Sequence, residues 1–231
     1  MKKLNSKGFD YINESFLFKV RKVLRYIKLY GVSRTIIKIK GQYHMKKTFD
    51  NLPSYDIPNY SKKNVAIVGC GNFAYSNIAF YLRKNFGNVI RVTMDQNINR
   101  AASLFNDFNA DYYTDDFNKV INDNNVKLIY IVSNHASHAD YAIKAIKKDK
   151  FVHIEKPHVV NENQLEELEK VLNEFNAFRI NLGFNRPYSK LGKTILKELS
   201  TEKGTSMINW FIAGHAIDDN HWYYKDEEGG R

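Results

Sequence analysis

From residue 64 onward, short apolar runs alternate with segments whose apolar residues recur every three or four positions. The apolar runs predict strands at 65–69, 89–94, 127–132 and 151–154. The other segments predict helices at 72–85, 98–108, 115–123, 137–148 and 162–175, with Asn161 as the cap of the last one. This alternation favours an α/β fold, a doubly wound parallel sheet with helices on both faces and right-handed crossovers.

Two helices are predicted before the first strand. Residues 16–30 carry apolar side chains at helical spacing, with most lysines and arginines on other faces, and Gly31 ends the pattern. Ser33 is expected to cap a second short helix that runs through Lys40 and ends at Gly41. The proline-containing residues 42–62 are expected to form a linker.

The pattern changes after residue 180. Residues 181–188 have the composition of a loop, residues 189–199 predict a helix, and residues 206–212 predict a strand that begins a second sheet. The chain therefore divides into three parts. These are a basic helical leader with its linker (1–62), an α/β domain (63–182) and the start of an incomplete α+β domain (183–231).

The positive charge is concentrated in the leader. The net charge is +10, and residues 1–60 hold 13 Lys or Arg against 4 Asp or Glu, whereas residues 61–231 hold 22 against 21. The single cysteine, Cys70, excludes an internal disulfide and suits a reducing compartment. The sequence contains neither an apolar run of about 20 residues, as a membrane span needs, nor a recognisable secretory signal.

The first strand of the α/β domain is followed by Gly69-x-Gly71-x-x-Ala74. In a dinucleotide-binding turn the first glycine permits the tight bend, and the second lets the backbone approach a pyrophosphate. The small third residue lets the helix sit close to the strand. Asn72 and Phe73 open that helix, whose free N–H groups and positive dipole end favour an anion. The motif thus predicts that residues 69, 71, 72 and 73 bind a dinucleotide cofactor.

Asp95 stands at the end of the second predicted strand, 26 residues after Gly69. An acid roughly 20 residues beyond the glycines accepts hydrogen bonds from the adenosine ribose. Gln96 and Asn97 follow it, and no Lys or Arg adjoins it to pair with a 2′-phosphate, which favours NAD over NADP. The alternative role for Asp95 is that of a cap for the following helix.

Three further motifs follow predicted strand ends: Ser133-Asn134-His135-Ala-Ser-His138, Glu155-Lys156-Pro157 and Gly183-Phe-Asn-Arg186. In an open parallel sheet, ligand binds outside the carboxyl ends of the strands. With the glycine motif, their order and spacing resemble the Gfo/Idh/MocA family of nicotinamide-dependent oxidoreductases, which act mostly on sugars and sugar derivatives. The resemblance covers residues 64–231. The leader segment 30–35, the Asn-His-Ala-Ser-His loop and the tail 214–231 are most similar to a subgroup linked to surface-polysaccharide synthesis.

The resemblance implies roles for these strand-end residues. Ser133 and Asn134 would lie along the nicotinamide half of the cofactor. Lys156, beside Glu155, would reach the hydroxyl of the reacting carbon and the nicotinamide ribose. A lysine there can hydrogen-bond the substrate hydroxyl and offset charge as a hydride leaves. In isolation, Glu-Lys-Pro would be a tight corner with a surface lysine.

Other residues are candidates for contacts with the ligand. His135 is a candidate cofactor or substrate contact, whereas His138 is expected to pack at the start of a helix. Candidate substrate contacts, with ordinary loop packing as the alternative, are Asn185, Arg186, Tyr188 and Trp222. His215 and His221 lack the spacing of a metal site, so no metal is predicted.

The chain departs from the family at its end. In the family, a histidine that acts with the lysine follows the segment matching 227–231, where this sequence ends. We therefore expect a truncated second domain, doubtful catalytic activity and no family-type oligomer. A lone strand at 206–212 would lack partners, so residues after about 200 are expected to be poorly held.

Three functional hypotheses follow. The first is a cytoplasmic oxidoreductase that passes a hydride between NAD, or less favourably NADP, and a sugar or nucleotide sugar in surface-polysaccharide biosynthesis. The second is a non-catalytic NAD-binding module. In the third, leader residues 16–40 lie on an anionic membrane surface; the alternative is that the leader packs on the cofactor domain. No recognised nucleic-acid motif accompanies the basic charge, so nucleic-acid binding is not expected.

Overall fold

Six strands form one parallel sheet. Strands β1 to β6 are, in chain order, Val65–Val68, Ile90–Met94, Tyr112–Thr114, Leu128–Ile131, Phe151–Ile154 and Ile180–Leu182. They lie in the order β3-β2-β1-β4-β5-β6, and every neighbouring pair is parallel. The chain order reverses between β1 and β4, which places a crevice outside their carboxyl ends. The computed structural model describes residues 13–175, 179–201, 203–209, 211 and 224–228.

Eight α-helices surround the sheet or precede it in the described residues. Helices α1 to α8 are Phe16–Tyr30, Val32–His44, Phe80–Phe86, Ile98–Phe108, Phe117–Asn122, His138–Lys147, Glu162–Phe175 and Lys190–Thr201. A π-helical turn at Ala74–Ala79 leads directly into α3. The helix predicted at 189–199 is present as α8. Asn161 caps α7, as predicted, by accepting a hydrogen bond from the Gln164 N–H at 2.9 Å.

The sheet is covered on both faces, which confirms the doubly wound α/β fold. On one face, Val68 and Ile131 pack with α5, α6 and α7 in an apolar cluster. On the other face, Ile67 packs with the π-helical turn and α4. Burying each aliphatic side chain of this kind contributes about 1.5–3 kcal/mol to the stability of the fold.

Two strands lie outside the four strand ranges predicted from the sequence. β3 has only three residues, is flanked by acidic residues and pairs with β2 alone, so its local pattern is weak. β6 takes in Asn181 and Leu182, which the sequence assigned to a loop. Both strands are defined by pairing with a neighbour that is remote in sequence.

The bounds predicted for α2 are wrong. The helix begins at Val32 after Gly31, Ser33 lies inside it without capping it, and it continues through Gly41 to His44. Gly41 does not stop the helix: a Cβ there would lie 2.6 Å from Asn72 Oδ1, so the glycine permits close packing against the domain. The last turn persists because it is buried on that surface.

The predicted strand at 206–212 is wrong over its described residues. Residues 206–209 and 211 form neither helix nor strand, and all of them are exposed. Of the described helices, none is both long enough and apolar enough to cross a membrane.

An ion-pair network around the buried Arg91 stabilises the amino ends of the strands, opposite the crevice. Arg91 in β2 is 2% exposed, and its guanidinium donates to Asp111 at 2.9 Å, Asp123 at 2.8 Å and the Pro58 carbonyl at 3.1 Å. Burial is the largest single effect on Asp123 and opposes its charged form. The hydrogen bonds from Arg91, the Asn125 N–H and Tyr112, together with the charge of Arg91, outweigh burial and lower the pKa of that carboxyl. One arginine thereby joins β2, the start of β3, the end of α5 and the linker.

Replacing Arg91 with methionine is expected to lower the free energy of unfolding by about 3–5 kcal/mol. The half-buried Asp123 loses its arginine, and Asp111 keeps only Lys63, whose Nζ lies 2.8 Å from its Oδ1. Urea unfolding followed by circular dichroism measures this. The matched control is Lys144→Met on the exposed face of α6, expected to change stability by less than about 0.5 kcal/mol. Equal stability of the two variants would contradict a stabilising role for the network.

Candidate functional site

A cleft of about 1270 Å³ lies at the carboxyl ends of the strands. Residues that follow five different strands line it. They are Gly69, Gly71, Asn72 and Phe73 after β1, Asp95 after β2, residues 133–135 after β4, Glu155 and Lys156 after β5, and residues 183–187 after β6. The ten residues predicted to contact the cofactor are therefore brought together around one cavity.

The two glycines of the motif have different surroundings. Gly69 has a φ of +89°, and a Cβ on it would lie 2.5 Å from the Ser133 nitrogen. Only glycine allows this close contact in this backbone conformation. A Cβ on Gly71 would meet no described atom within 4 Å, although the residue lines the cleft. Gly69 is therefore needed for packing, whereas Gly71 leaves space for a ligand.

The helix after the glycines begins with a π-helical turn. Asn72 and Phe73 are the first helical residues, and the Tyr75 N–H donates to the Gly71 carbonyl at 3.0 Å. Inside the turn, the Ser76 carbonyl accepts a bond from the Arg34 guanidinium of α2, which also donates to Asn77 Oδ1. Turns of this type often occur at functional sites.

Asp95 is held by two backbone amides. Its Oδ2 accepts from the Cys70 N–H at 2.7 Å and its Oδ1 from the Asn97 N–H at 2.8 Å. A carboxylate has about four acceptor positions, so two remain. Asn97 caps α4 by accepting a hydrogen bond from the Asn99 N–H. Asp95 is therefore not the cap of this helix, which was its alternative role.

The loop after β4 is fastened by the tail of the chain. Glu228 is buried, and its carboxylate accepts from Asn134 Nδ2 at 2.6 Å and from the Ala136 N–H at 3.0 Å. Ser133 Oγ lies 2.7 Å from Ser137 Oγ within the same loop. Glu228 therefore belongs to the wall of the cleft, and sequence reasoning did not identify it.

The two histidines of this loop have different positions. His135 lines the cleft, and burial lowers its pKa, with the nearby Glu228 carbonyl opposing the shift. His138 is 1% exposed, and its ring bridges the Ser133 carbonyl at 3.0 Å and the Pro157 carbonyl at 2.6 Å. His138 thus joins the loops after β4 and β5, in keeping with its expected packing role at the start of α6.

Glu155 and Lys156 stand where β5 meets the cleft. Lys156 is exposed there and precedes a cis peptide bond to Pro157. The Glu155 carboxylate lies 3.3 Å from His153 Nε2, and His153 Nδ1 lies 2.9 Å from Asn181 Oδ1 in β6. Gly183 packs against Glu155, since a Cβ on it would lie 3.0 Å from that carboxylate. Lys156 therefore lines the cleft at the end of β5.

The candidate substrate residues do not all lie together. Asn185 and Arg186 line the main cleft. Tyr188 is 71% exposed and lines a second depression of about 470 Å³ instead. Trp222 lies outside the described residues, as do His215 and His221. In the described ranges, no group of three His, Cys, Asp or Glu could hold a metal ion.

His44 of α2 is a site residue that sequence reasoning missed. Its Nε2 donates to the carbonyl of Cys70, inside the glycine turn, at 2.7 Å, and its Nδ1 lies 2.9 Å from Ser103 Oγ. The ring stacks on Tyr75 with centroids 4.4 Å apart. No local motif surrounds His44, so only the tertiary contact identifies it.

Arg100 also lines the cleft beside Asp95. Its Nε is buried and has no hydrogen-bond partner within the described part of the chain. It lies five residues after Asp95, on α4, so inspection of the immediate neighbours of Asp95 overlooked it. Cys70 is fully buried, and burial raises the pKa of its thiol, followed by the effect of Asp95.

Residues 63–178, half of the chain, match the family described as an oxidoreductase family with an NAD-binding Rossmann fold, GFO_IDH_MocA. Oxidoreductase P35 of Formosa agariphila is 30% identical over 119 residues, which are 51% of this chain and 36% of that protein. Inositol 2-dehydrogenase of Azotobacter vinelandii is 27% identical over 129 residues, 55% of this chain and 38% of that protein. The match therefore spans little more than a third of either relative.

A solved structure shares the fold. Myo-inositol 2-dehydrogenase from Lactobacillus plantarum superposes with a TM-score of 0.56 at 21% identity, covering 61% of this chain and 42% of that one. The likeness supports the Rossmann architecture.

Stability is expected to fall as the pH drops from 7.5 to 5.5, with His44 contributing to the loss. Burial lowers the pKa of His44 despite its bond to the Cys70 carbonyl, so the folded protein keeps the ring neutral. The unfolded chain takes up a proton near pH 6.5, which favours unfolding below that pH.

The measurement is the melting temperature of the wild type and of His44→Phe at both pH values. The variant keeps an aromatic ring but cannot titrate, so its pH-dependent loss is expected to be smaller. His135 and His158, whose pKa values burial also lowers, are expected to contribute in the same direction in both proteins. The same pH dependence in both proteins would contradict the role given to His44.

Proposed function

The chain belongs to the Gfo/Idh/MocA oxidoreductase family, and from this membership we propose that it binds NAD and transfers a hydride to or from a sugar-like substrate. The observation that carries the proposal is the convergence of four strand-end motifs on one cleft. Each motif supplies a different chemical group: a glycine turn, a carboxylate, an amide-bearing loop and a lysine.

The residues of the cleft fit a dinucleotide. The open space at Gly71 suits the close approach of a pyrophosphate, and the start of the following helix favours its charge. The free acceptor positions of Asp95 suit ribose hydroxyls. When bound, NAD supplies the acceptor or donor of the hydride.

We expect NAD to bind more tightly than NADP. The Asp95 carboxylate is fixed by two amides at the position where a 2′-phosphate would bring additional negative charge. Arg100 opposes this preference, because it brings a cation to the same part of the cleft. The carboxylate is the better placed of the two, since its position at the end of β2 is the one that meets the ribose.

Lys156 is proposed to exchange the proton of the reacting hydroxyl as a general acid or base. A positioned lysine ammonium can hydrogen-bond this oxygen in the alcohol and in the carbonyl product, and can exchange a proton with it as the hydride moves. Asn185 and Arg186 would orient the remaining hydroxyl groups. Lys156 lies beside the Glu155–His153–Asn181 chain of contacts, which fixes the corner that carries it.

The substrate class follows from relatives and chemistry together. Two relatives are named inositol 2-dehydrogenases, which favours a secondary alcohol on a hydroxylated ring. A sugar or nucleotide sugar presents the same group. A place in surface-polysaccharide synthesis rests on the resemblance of the leader, the Asn-His-Ala-Ser-His loop and the tail to one subgroup of the family.

Gly71→Val is expected to weaken NAD binding by about tenfold or more, or about 1.4 kcal/mol, with little change in melting temperature. The added side chain enters ligand space, and its Cβ would meet no described atom within 4 Å beyond the adjoining residues. Isothermal titration calorimetry with NAD measures the affinity, and NADP in place of NAD measures the preference assigned to Asp95.

The matched control for Gly71→Val is Lys84→Val, at an exposed position of α3. It introduces the same side chain in the helix that follows the motif and should leave affinity unchanged. Unaltered NAD binding by Gly71→Val, or an absence of binding by the folded wild type, would overturn the proposed cofactor site.

Lys156→Ala is expected to lower turnover by about a hundredfold or more while NAD affinity stays within about threefold. NADH formation with myo-inositol and with nucleotide sugars provides the assay, and Lys148→Ala on the exposed surface is the control. Wild-type protein that binds NAD but reduces it with none of these substrates would favour the alternative, a non-catalytic NAD-binding module.

A further inference from the structure

The leader contains an uninterrupted basic segment. Residues 15–49 hold ten Lys or Arg and no Asp or Glu, whereas residues 61–231 are nearly balanced, with 22 basic and 21 acidic residues. The charge is therefore confined to α1, α2 and the few residues that follow them.

Helix α2 docks on the domain through Ile37, which packs against the core, and through three polar side chains. Arg34 donates to the Ser76 carbonyl, Lys38 to Ser76 Oγ at 3.3 Å, and His44 to the Cys70 carbonyl. The opposite side carries an apolar stripe at spacings of four, three and four residues. Its members, 57, 49, 38 and 58% exposed, are Val32, Ile36, Ile39 and Tyr43. A helix that only packed on the domain would be expected to keep a polar outer face instead of this exposed apolar stripe.

Helix α1 has no buried residue. One side of it bears a second exposed apolar stripe. The residues of this stripe, 77, 68, 37 and 61% exposed, are Phe16, Leu17, Val20 and Leu24. Arg21, Arg25 and Lys28 are exposed as well and, at 100° per residue, border the stripe along one edge. This arrangement of apolar and basic faces is that of helices that lie in the membrane interface.

We propose that α1 and the outward face of α2 bind the surface of an anionic lipid bilayer. The apolar stripes would enter the boundary between headgroups and acyl chains, and the bordering cations would meet lipid phosphates. The docked face of α2 would hold the cofactor domain next to that surface.

Charge distinguishes this occupant from a second copy of the chain. A symmetric dimer through the leader would place the same basic patch of each copy against the other, with repulsion between like charges. A contact of the leader with residues 61–231 of another copy would offer a surface with almost no net charge. An anionic bilayer supplies both the opposite charge and an apolar layer.

The test is co-sedimentation of the full chain with vesicles of phosphatidylcholine alone and with vesicles that contain about a quarter phosphatidylglycerol. We expect binding only to the anionic vesicles, and a loss of binding as salt rises from about 0.1 M to about 0.5 M. Equal binding to neutral vesicles, or no binding by folded protein, would overturn the proposal.

Two variants test the two faces separately. The charge variant R21E/R25E/K28E should bind anionic vesicles at least about a hundredfold more weakly than the wild type. The stripe variant L17S/V20S/L24S should also lose this binding. The matched controls are K144E/K147E/K148E at the end of α6 and its C-cap, and L191S/L196S on α8. All lie at exposed positions and should bind as the wild type does. An equal loss in the controls would show a non-specific effect and contradict the assignment to the leader.

Circular dichroism and analytical ultracentrifugation complete the test. All variants should keep the wild-type melting temperature, because the altered residues are exposed and α1 buries none of its side chains. A wild type that is dimeric without vesicles, together with a monomeric charge variant, would identify the leader as a contact between copies and overturn the lipid proposal.

Discussion

Gly69 touches the loop after β4 with nothing between the two backbones. A Cβ at this position would lie 2.5–2.6 Å from backbone atoms of Val132 and Ser133, in a conformation with φ of +89°. The turns after β1 and β4 therefore meet at the point where the strand order reverses. Other contacts build on this one: His138 joins the β4 loop to Pro157, and Glu228 fastens the same loop from the tail. The cleft is the space that this connected set of loops encloses.

Charged groups at the two ends of the strands differ in how far their hydrogen-bonding capacity is used within the protein. At the amino ends of the strands, Arg91 satisfies two carboxylates and a carbonyl, so the polar groups there are fully used within the fold. At the carboxyl ends, Asp95 keeps acceptor capacity and Arg100 has a buried Nε without a partner among the described residues. Buried polar atoms without partners are costly unless a ligand or water meets them. This asymmetry assigns a stabilising role to the amino ends and supports the proposed ligand site at the carboxyl ends.

The sequence predicted the parts of the fold whose cause is local. The strands β1 and β4 are apolar runs, β2 and β5 are mostly apolar with polar residues such as Arg91 and His153 among them, and the Gly69-x-Gly71 motif marks a turn. β3 was missed because three residues flanked by acids carry no periodicity, and they become a strand only through pairing with β2.

The same distinction holds for the site. Asp95, Ser133 and Lys156 could be predicted because each follows a predicted strand, and parallel strands bring such ends together. His44 of the leader contacts the glycine turn 26 residues away, and Glu228 of the tail reaches the cleft wall 94 residues from Asn134, so no spacing rule connects them to the site. Arg100 is five residues from Asp95 in the sequence, but α4 brings it to the same part of the cleft. The immediate sequence neighbours of Asp95 therefore do not reveal this cation.

The role of α2 follows from the acceptors that the domain offers it. The Cys70 carbonyl lies in the glycine turn and the Ser76 carbonyl in the π-helical turn, and each accepts a bond from a side chain of α2. An apolar side chain could satisfy neither group, which explains why Arg34, Lys38 and His44 point toward the domain beside Ile37. The family match begins at residue 63, yet the glycine turn depends on contacts from residues 34–44. The structural unit that shapes the nucleotide cleft therefore begins with α2, and the basic leader is joined to the site through the carbonyl of Cys70.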